Sequence, residues 1–340
     1  MTIVNQSLAS LRINDPVIQQ VVHGYVQADS IADFVAERVP VDVRAGKVIK
    51  FGKEQFAVTD TRRAPGSLIQ RSVTGYDYED FNLQQHARSG VVTEEEYQEA
   101  INGEGRIDLR VNAALKAANE IAQSWEAEVL ETVTNASAYE DSCKMVLAGS
   151  AKFSDPNSDP EITIQNAKEA VRSQIGIYPN AAIMSSDVFN ALKFQPSFRD
   201  RIKYTSSASV NLDMLANWFD LPAGIKVSQR VKLDGATNRL VDMMPPGTLL
   251  LFYKGGTSGM LEANSGRPGT IFVPANGADR ANPSFAYTYT LRGYPITTKE
   301  RFNEDYRVFL TDVLVEQRIV MTGLGETGKV GAGFLLQEAV

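Results

Sequence analysis

The longest regular pattern of apolar positions runs from Asp108 to Thr134, DLRVNAALKAANEIAQSWEAEVLETVT. Val111, Leu115, Ala118, Ala122, Trp125, Val129 and Val133 recur at steps of three and four, which puts them on one face of a helix. Neither Gly nor Pro interrupts the run. At 1.5 Å rise per residue it predicts a rod of roughly 40 Å, long enough to brace other layers along one side.

Upstream the pattern is different. Residues 1–45 scatter Ile3, Val4, Leu8, Leu11, Ile13, Val17 and Ile18 among polar positions, with Pro16 and Pro40 interrupting. The only regular piece is a short helix near Ile31 to Ala36. The apolar content is too high for a solvated tail, so the stretch is expected to be an arm that orders on a neighbouring subunit. From Lys47 the spacing turns to strand: Val48, Ile49, Phe51, Phe56 and Val58 lead up, and Tyr76, Tyr78, Phe81 and Leu83 lead back. Asp60 to Val73 between them holds Pro65, Gly66 and the arginines Arg62, Arg63 and Arg71, and reads as a turn region. Tyr76 and Tyr78 share one parity and Phe81 and Leu83 the other, which predicts a bulge near Glu79–Asp80. A two-stranded ribbon of this length has no core of its own and needs something outside it. Arg62, Arg63, Arg71, Tyr76, Tyr78 and Phe81 are therefore the candidate intersubunit contacts.

Thr93 and Glu96 have the spacing of a capping box and start a short helix ending near Ile101. After Gly149, SAKFSDPNSDP reads as a crossing between domains. A compact α/β stretch follows. Ile164, Ala167, Val171 and Ile175 mark a helix, Ala181 to Met184 a buried strand, and Ser186 the cap of a helix over DVFNALKF. PSFRDRIKY and NLDMLANWF supply two more short helices; IKVSQRV and TLLLFY supply strands, the second preceded by a Pro245-Pro246-Gly247 turn. Gly255 to Pro283 is expected to be a long loop. Two late strands are predicted, FAYTYTLRGYPITTKERFN and EDYRVFLTDVLVEQRIVM, and then the closing segment GLGETGKVGAGFLLQEAV.

The chain has 340 residues, enough for two or more domains, with 43% apolar and 22% charged residues, an ordinary globular balance. No apolar run is long enough to span a bilayer, and the first residues lack the basic head and apolar centre of a secretory signal, so folding in a cytoplasm is expected. A net charge of −7 argues against wrapping nucleic acid, which needs a basic surface, but not against a surface that faces it. The single cysteine, Cys143, rules out an intrachain disulfide and reads as a buried small hydrophobe.

Candidate chemistry is thin. Gly323-Leu324-Gly325-Glu326-Thr327-Gly328 matches the dinucleotide fingerprint, but that motif needs a helix next and an acidic residue about 20 positions on. Read as a phosphate-binding loop, it has Val330 where Ser or Thr must hold magnesium. A glycine-rich hairpin is the better account. His23 and His86 lie far apart in sequence, which gives little support to metal binding or to nucleophilic catalysis. Glu94 to Glu96 are explained by a helix N-terminus. No catalytic residue, cofactor or metal site is expected.

The element order (apolar arm, long ribbon, long amphipathic helix, inserted α/β unit, late long strands) resembles the major capsid proteins of tailed bacteriophages, of the Hong Kong 97 type. GIYPNAAIMSSDVFNALKFQPSFRDRIKYT with LDMLANWFDLPAGIKVSQRV is similar to that family's axial-domain run, and DYRVFLTDVLVEQRIVM to its long peripheral strand. The resemblance implies an α+β fold divided as follows. Residues 1–45 form the arm and first peripheral strand, 46–92 the extended loop, and 93–150 the peripheral domain with its spine helix at 108–134. The axial domain takes 151–283, the peripheral long strands 284–322, and a segment rejoining the axial domain 323–340. It also implies hexamers and pentamers of the chain itself, closed into an icosahedral shell around double-stranded DNA without sequence-specific binding. A portal protein, a separate scaffolding protein and a decoration or cement protein are the implied partners, with assembly in the host cytoplasm, residence in the virion and no membrane. No lysine lies between Gln55 and Leu115, so the lysine-based cross-link of some family members is not expected from the loop tip. No long helical segment precedes the arm, so a built-in scaffolding region is not expected either. The alternatives are an encapsulin-type nanocompartment shell and a soluble nucleotide-binding enzyme using Gly323–Lys329.

Overall fold

A computed structural model describes residues 28–50, 58, 62, 77–102, 109–202, 210–255, 283–291, 297–323 and 329–340. The first elements are α1 (Ala32–Val35), β1 (Ala36–Val41), β2 (Ala45–Lys50), β3 (Asp77–Asn82), β4 (Gln84–Thr93), α2 (Glu94–Asn102) and α3 (Leu109–Val133). Next come β5 (Lys144–Val146), α4 (Pro160–Ile175), β6 (Ala181–Ser185), α5 (Ser186–Phe194), α6 (Pro196–Ile202) and α7 (Leu212–Trp218). The chain continues through β7 (Gly224–Ser228), β8 (Val231–Asp234), β9 (Arg239–Asp242) and β10 (Leu249–Phe252). It closes with β11 (Ala286–Leu291), β12 (Thr297–Asn303), β13 (Val308–Met321) and β14 (Gly333–Gln337).

Two five-stranded sheets carry the molecule. In the first, β13 is the axis. Its fourteen residues pair antiparallel with β4 along one edge, and with β12 and then β11 along the other. β1 adds to β11 in parallel, Ala36 opposite Ala286 through Val41 opposite Leu291. As the outermost strand of that order, β1 tolerates Pro40, which has no amide to donate. The second sheet runs β5-β14-β10-β6-β7, with β5 parallel to β14 and β6 parallel to β7.

The long helix α3 joins the two sheets. Ala117 and Ile121 of its first half pack with Val313 and Val315 of the first sheet. Trp125, Val129, Leu130 and Val133 of its second half pack with Ile183, Leu250, Phe252 and Leu335 of the second. This corrects the predicted stripe, because Val111 and Leu115 are 52% and 45% exposed while Ile121 is buried. The true stripe repeats at four residues from Ala117 to Val133, so it drifts round the helix and meets two sheets in succession. Gly90 of β4 sets the approach: a Cβ there would lie 2.5 Å from the Ala113 carbonyl oxygen.

The opposite face of the second sheet is a separate core. Ala182, Met184, Leu249, Leu251, Phe334 and Leu336 meet α4, α5 and α7 through Ile164, Val171, Val188 and Leu215. Alternate residues of β6 and β10 serve the two cores, which is why both strands are buried throughout. Sequence signals set the helix ends. Asp159 caps α4 by accepting from the amides of Glu161 and Ile162 at 3.1 and 3.2 Å, and Gly176 ends it at φ 74°. The predicted capping box exists: the Glu96 amide donates to Thr93 Oγ1 at 3.3 Å, and the Thr93 amide to Glu96 Oε2 at 3.2 Å.

Other expectations need correction. The β2–β3 register is continuous from Ala45 opposite Asn82 to Lys50 opposite Asp77, so no bulge occurs at Glu79–Asp80. Ser186 does not cap α5; Ser185 takes that position, and Ser186 Oγ donates instead to Asp242 Oδ2 at 2.7 Å. Within SAKFSDPNSDP, Phe153 is fully buried and its amide donates to the Ala339 carbonyl at 2.7 Å. The first of the two late strands is two strands, β11 and β12. The β8–β9 hairpin was not predicted. The arm before residue 28, the far end of the ribbon, residues 256–282 of the expected loop and residues 324–328 lie outside the described residues.

Candidate intersubunit surfaces

Where the ribbon leaves the body, β2 and β3 show their two faces to different surroundings. Gly46 pairs with Phe81 and Val48 with Glu79, so these four share a face. On it, Val48 is fully buried and Phe81 is 4% exposed, stacked on Tyr289 at 5.1 Å between ring centroids. Gly46 makes room for that ring: a Cβ there would lie 2.8 Å from Phe81 Cε1. Val41, Tyr287 and Val320 complete the cluster, and burial pushes the Tyr287 and Tyr289 hydroxyls above the ordinary tyrosine range. Arg44 clamps the same base, donating from Nε and Nη2 to the two oxygens of Glu316 at 2.7 and 2.9 Å.

This divides the residues picked out from sequence. Phe81 is a correction: its ring is buried inside its own chain and anchors the ribbon root. Tyr78 lies on the opposite face, 56% exposed, with Lys47 Nζ 5.9 Å from its ring centroid. Arg62 is exposed. Arg63, Arg71 and Tyr76 lie outside the described residues.

A second junction went unnoticed in the sequence. Glu126 of α3 is 1% exposed. Its Oε1 accepts from the Ile31 amide at 3.3 Å, and its Oε2 lies 3.1 Å from Arg230 Nη1, an ion-pair contact without hydrogen-bond alignment. Arg230 Nε in turn donates to the Ala28 carbonyl at 2.7 Å. One carboxylate thus ties the residues before α1, the spine helix and the root of the β8–β9 hairpin. The available signal was a glutamate set beside Trp125 and four residues before Leu130, inside an apolar stripe. A second buried ion, Lys168, donates to the carbonyls of Phe219 and Asp220 at 2.9 and 3.0 Å and closes the end of α7.

The hairpin itself projects. Leu233 pairs with Leu240 across it, and these residues are 61% and 70% exposed. Its turn is held by Asp234, whose carboxylate accepts from the Ala236 and Thr237 amides and the Thr237 hydroxyl. These bonds, that to the hydroxyl first, hold its pKa below the usual carboxylate range.

No enzyme-like constellation emerges at the positions considered. Residues 324–328 of the glycine motif lie outside the described residues; 329–332 after them are not helical and lead into β14, a strand antiparallel to β10. His86 packs edge-on to Trp125 at 5.8 Å, and its Nε2 is 3.8 Å from Glu128 Oε2; His23 lies outside the described residues. Cys143 is fully buried, its Sγ 3.8 Å from the Gly331 carbonyl. Among the described residues no three His, Cys, Asp or Glu side chains gather as a metal site, and no helix is long and apolar enough to cross a membrane.

Among the described residues a spine helix is shared between two sheets and a ribbon is anchored at its root, and the fold is that of phage major capsid proteins of the Hong Kong 97 type. The chain is 27% identical over 292 residues to the major capsid protein of Burkholderia phage BcepMu, covering 85% of this chain and 87% of that protein. A phage-related protein from Bordetella bronchiseptica superposes with a TM-score of 0.69 at 26% identity, over 96% of this chain and 98% of that one. A chain of the capsid structure of Cyanophage P-SCSP1u shares the fold alone, with a TM-score of 0.56 at 9% identity over 99% of this chain and 92% of that one. No protein-family model matches the chain.

Proposed function

We propose that this chain is the major capsid protein of a tailed double-stranded DNA phage, assembling with copies of itself as hexamers and pentamers into an icosahedral shell. The observation that carries this is the likeness to a major capsid protein along 85% of this chain and 87% of the relative. The physics agrees. A two-stranded ribbon without a core of its own is a poor element for a solitary molecule and a natural one for a subunit whose neighbours bury it. The role is structural rather than enzymatic.

On this reading the chain divides as the resemblance implies: arm to 45, extended loop 46–92, peripheral domain 93–150 and 284–322, axial domain 151–283 with 323–340 rejoining it. Arg62, Arg63, Arg71, Tyr76 and Tyr78 meet neighbouring copies along the ribbon. A net charge of −7 lets packed DNA slide along the inner surface rather than stick. Portal, scaffolding and decoration proteins are the further partners, and the virion is the destination. The test is expression of the chain alone followed by negative-stain electron microscopy. Closed shells, capsomers or tubes are expected; a monodisperse monomer at all concentrations would overturn the proposal.

A further inference from the structure

The turn that closes the β8–β9 hairpin holds a glycine that the fold does not require. Gly235 follows Asp234, whose main-chain carbonyl and carboxylate organise the turn from Gly235 to Asn238. The Asn238 amide donates to the Asp234 carbonyl at 2.8 Å, and it is Asn238, at φ 51°, that takes the left-handed position. Gly235 has no positive φ, and a Cβ built on it would meet nothing within 4 Å. Neither conformation nor space therefore asks for glycine. What the missing side chain leaves open is the Gly235 backbone nitrogen, beside the Asp234 carboxyl. Both oxygens of that carboxyl are engaged elsewhere. Oδ1 accepts from the Ala236 amide at 3.2 Å; Oδ2 accepts from the Thr237 amide at 3.2 Å and the Thr237 hydroxyl at 2.6 Å.

We propose that Asp234–Gly235 is a latent site of backbone rearrangement to isoaspartate, kept closed in the folded hairpin by the bonds from Ala236 and Thr237. In the reaction the Gly235 nitrogen attacks Asp234 Cγ. The new C–N bond closes a five-membered succinimide, and the amide proton leaves with the carboxyl OH as water. Water then adds back. Opening at the Asp234 main-chain carbonyl breaks the original peptide bond and leaves the chain running through Cβ and Cγ; opening at the other carbonyl restores aspartate. One water leaves and one returns, with no oxidant or reductant. The folded turn opposes the first step twice. An ionised carboxylate has no OH to lose, and the donors around Asp234, the Thr237 hydroxyl first, favour the ionised form. Whichever oxygen must depart is also held by an amide or by Thr237. Rearrangement therefore proceeds through local opening of the turn. Its product adds a methylene to the main chain at Asp234. That displaces the pairing with Arg239 and the Leu233–Leu240 pair beyond it, in a ribbon marginal by itself. The chemistry is independent of the shell-subunit reading above.

The test follows isoaspartate at residue 234 over a prolonged warm incubation at neutral pH, in the folded full-length chain and in the same chain in urea. Tandem mass spectrometry of the hairpin peptide locates it, and enzymatic methyl transfer from S-adenosylmethionine measures it. Isoaspartate should accumulate in urea, and at least about tenfold more slowly in the folded parent. Thr237→Val lacks the hydroxyl donor; it should speed the folded rate about threefold or more and leave the urea rate unchanged. Thr237→Ser keeps the donor and should match the parent in both. Gly235→Ala, which the open space accommodates, should slow the urea rate with protomer melting unchanged. Absence of isoaspartate at 234 in urea denies the site. A folded parent as fast as the unfolded one, or a folded Thr237→Val no faster than the parent, denies the closure and overturns the proposal. Hydrogen exchange along β8 and β9 shows whether Thr237→Val keeps its hairpin. If it does not, Thr237→Ser decides: the parent rate upholds the proposal, and the Thr237→Val rate overturns it.

Discussion

Glu126→Ala removes one partner of a buried ion pair and leaves two groups stranded. Arg230, whose side chain is 16% exposed, keeps only the Ala28 carbonyl, and the Ile31 amide loses its acceptor. Breaking a buried pair from one side costs about 3–5 kcal/mol, and an orphaned buried amide about 1–3 kcal/mol. Residual exposure lets water reach Arg230, so the expected total is about 3–4 kcal/mol. Glu126→Gln keeps an acceptor for Ile31 and should cost roughly half as much. The double replacement Glu126→Leu with Arg230→Met removes both charges, and should fall within about 1 kcal/mol of the parent, since an apolar pair in place of a buried ion pair is often neutral. The two single losses therefore will not add. Urea unfolding of dilute, unassembled protomer measures all three, and hydrogen exchange at Ile31 to Val35 and along β8 and β9 locates the effect. If Glu126→Ala stays within about 1 kcal/mol of the parent, or loses stability with protection unchanged in both segments, the carboxylate is not the tie described.

Gly90→Ala places a methyl group 2.5 Å from the Ala113 carbonyl oxygen, so α3 must withdraw from β4. A loss of about 1–3 kcal/mol in thermal unfolding is expected, and an unchanged melting temperature would show that the helix yields freely. Phe81→Ala deletes the ring under the ribbon root and should cost about 3 kcal/mol, felt locally. Limited proteolysis within the ribbon should quicken about tenfold or more while the two sheets stay resistant, and equal cleavage rates would contradict the anchoring role. The Glu169 carboxyl is held below its usual range first by the Tyr178 hydroxyl and then by Arg172. Its contribution is full above the unfolded carboxylate pKa and fades as pH falls through the lower folded value. Unfolding of Glu169→Gln should thus differ from the parent near neutral pH and converge with it in acid; a constant difference across that range would refute the linkage.

How much of this was legible depended on how local each cause was. The capping box at Thr93 and Glu96 and the buried strand at Ala181 depend on near neighbours in the chain, and the sequence displays them. The stripe of α3 was misplaced in its first half because Val111 and Leu115 fit a helical period as well as Ile121 does. Only the position of the first sheet decides between them. Parity at Tyr78 and Phe81 was noticed correctly but explained by a bulge, when one face packs on Tyr289 and the other does not. Glu126 with Arg230 escaped because the partners are a hundred residues apart, and neither position shows its burial by composition. The hairpin escaped because its leucines face water, the one setting in which an alternating pattern carries no core.

The strand order also bears on how the chain is made. β14 (Gly333–Gln337) lies between β5 and β10, and β1 is completed by β11 across 250 positions. Pairings so distant in sequence close late and slowly. On a ribosome, the first sheet would stay unfinished until residue 321 emerged and the second until residue 337, so neither could close while most of the chain was still being made.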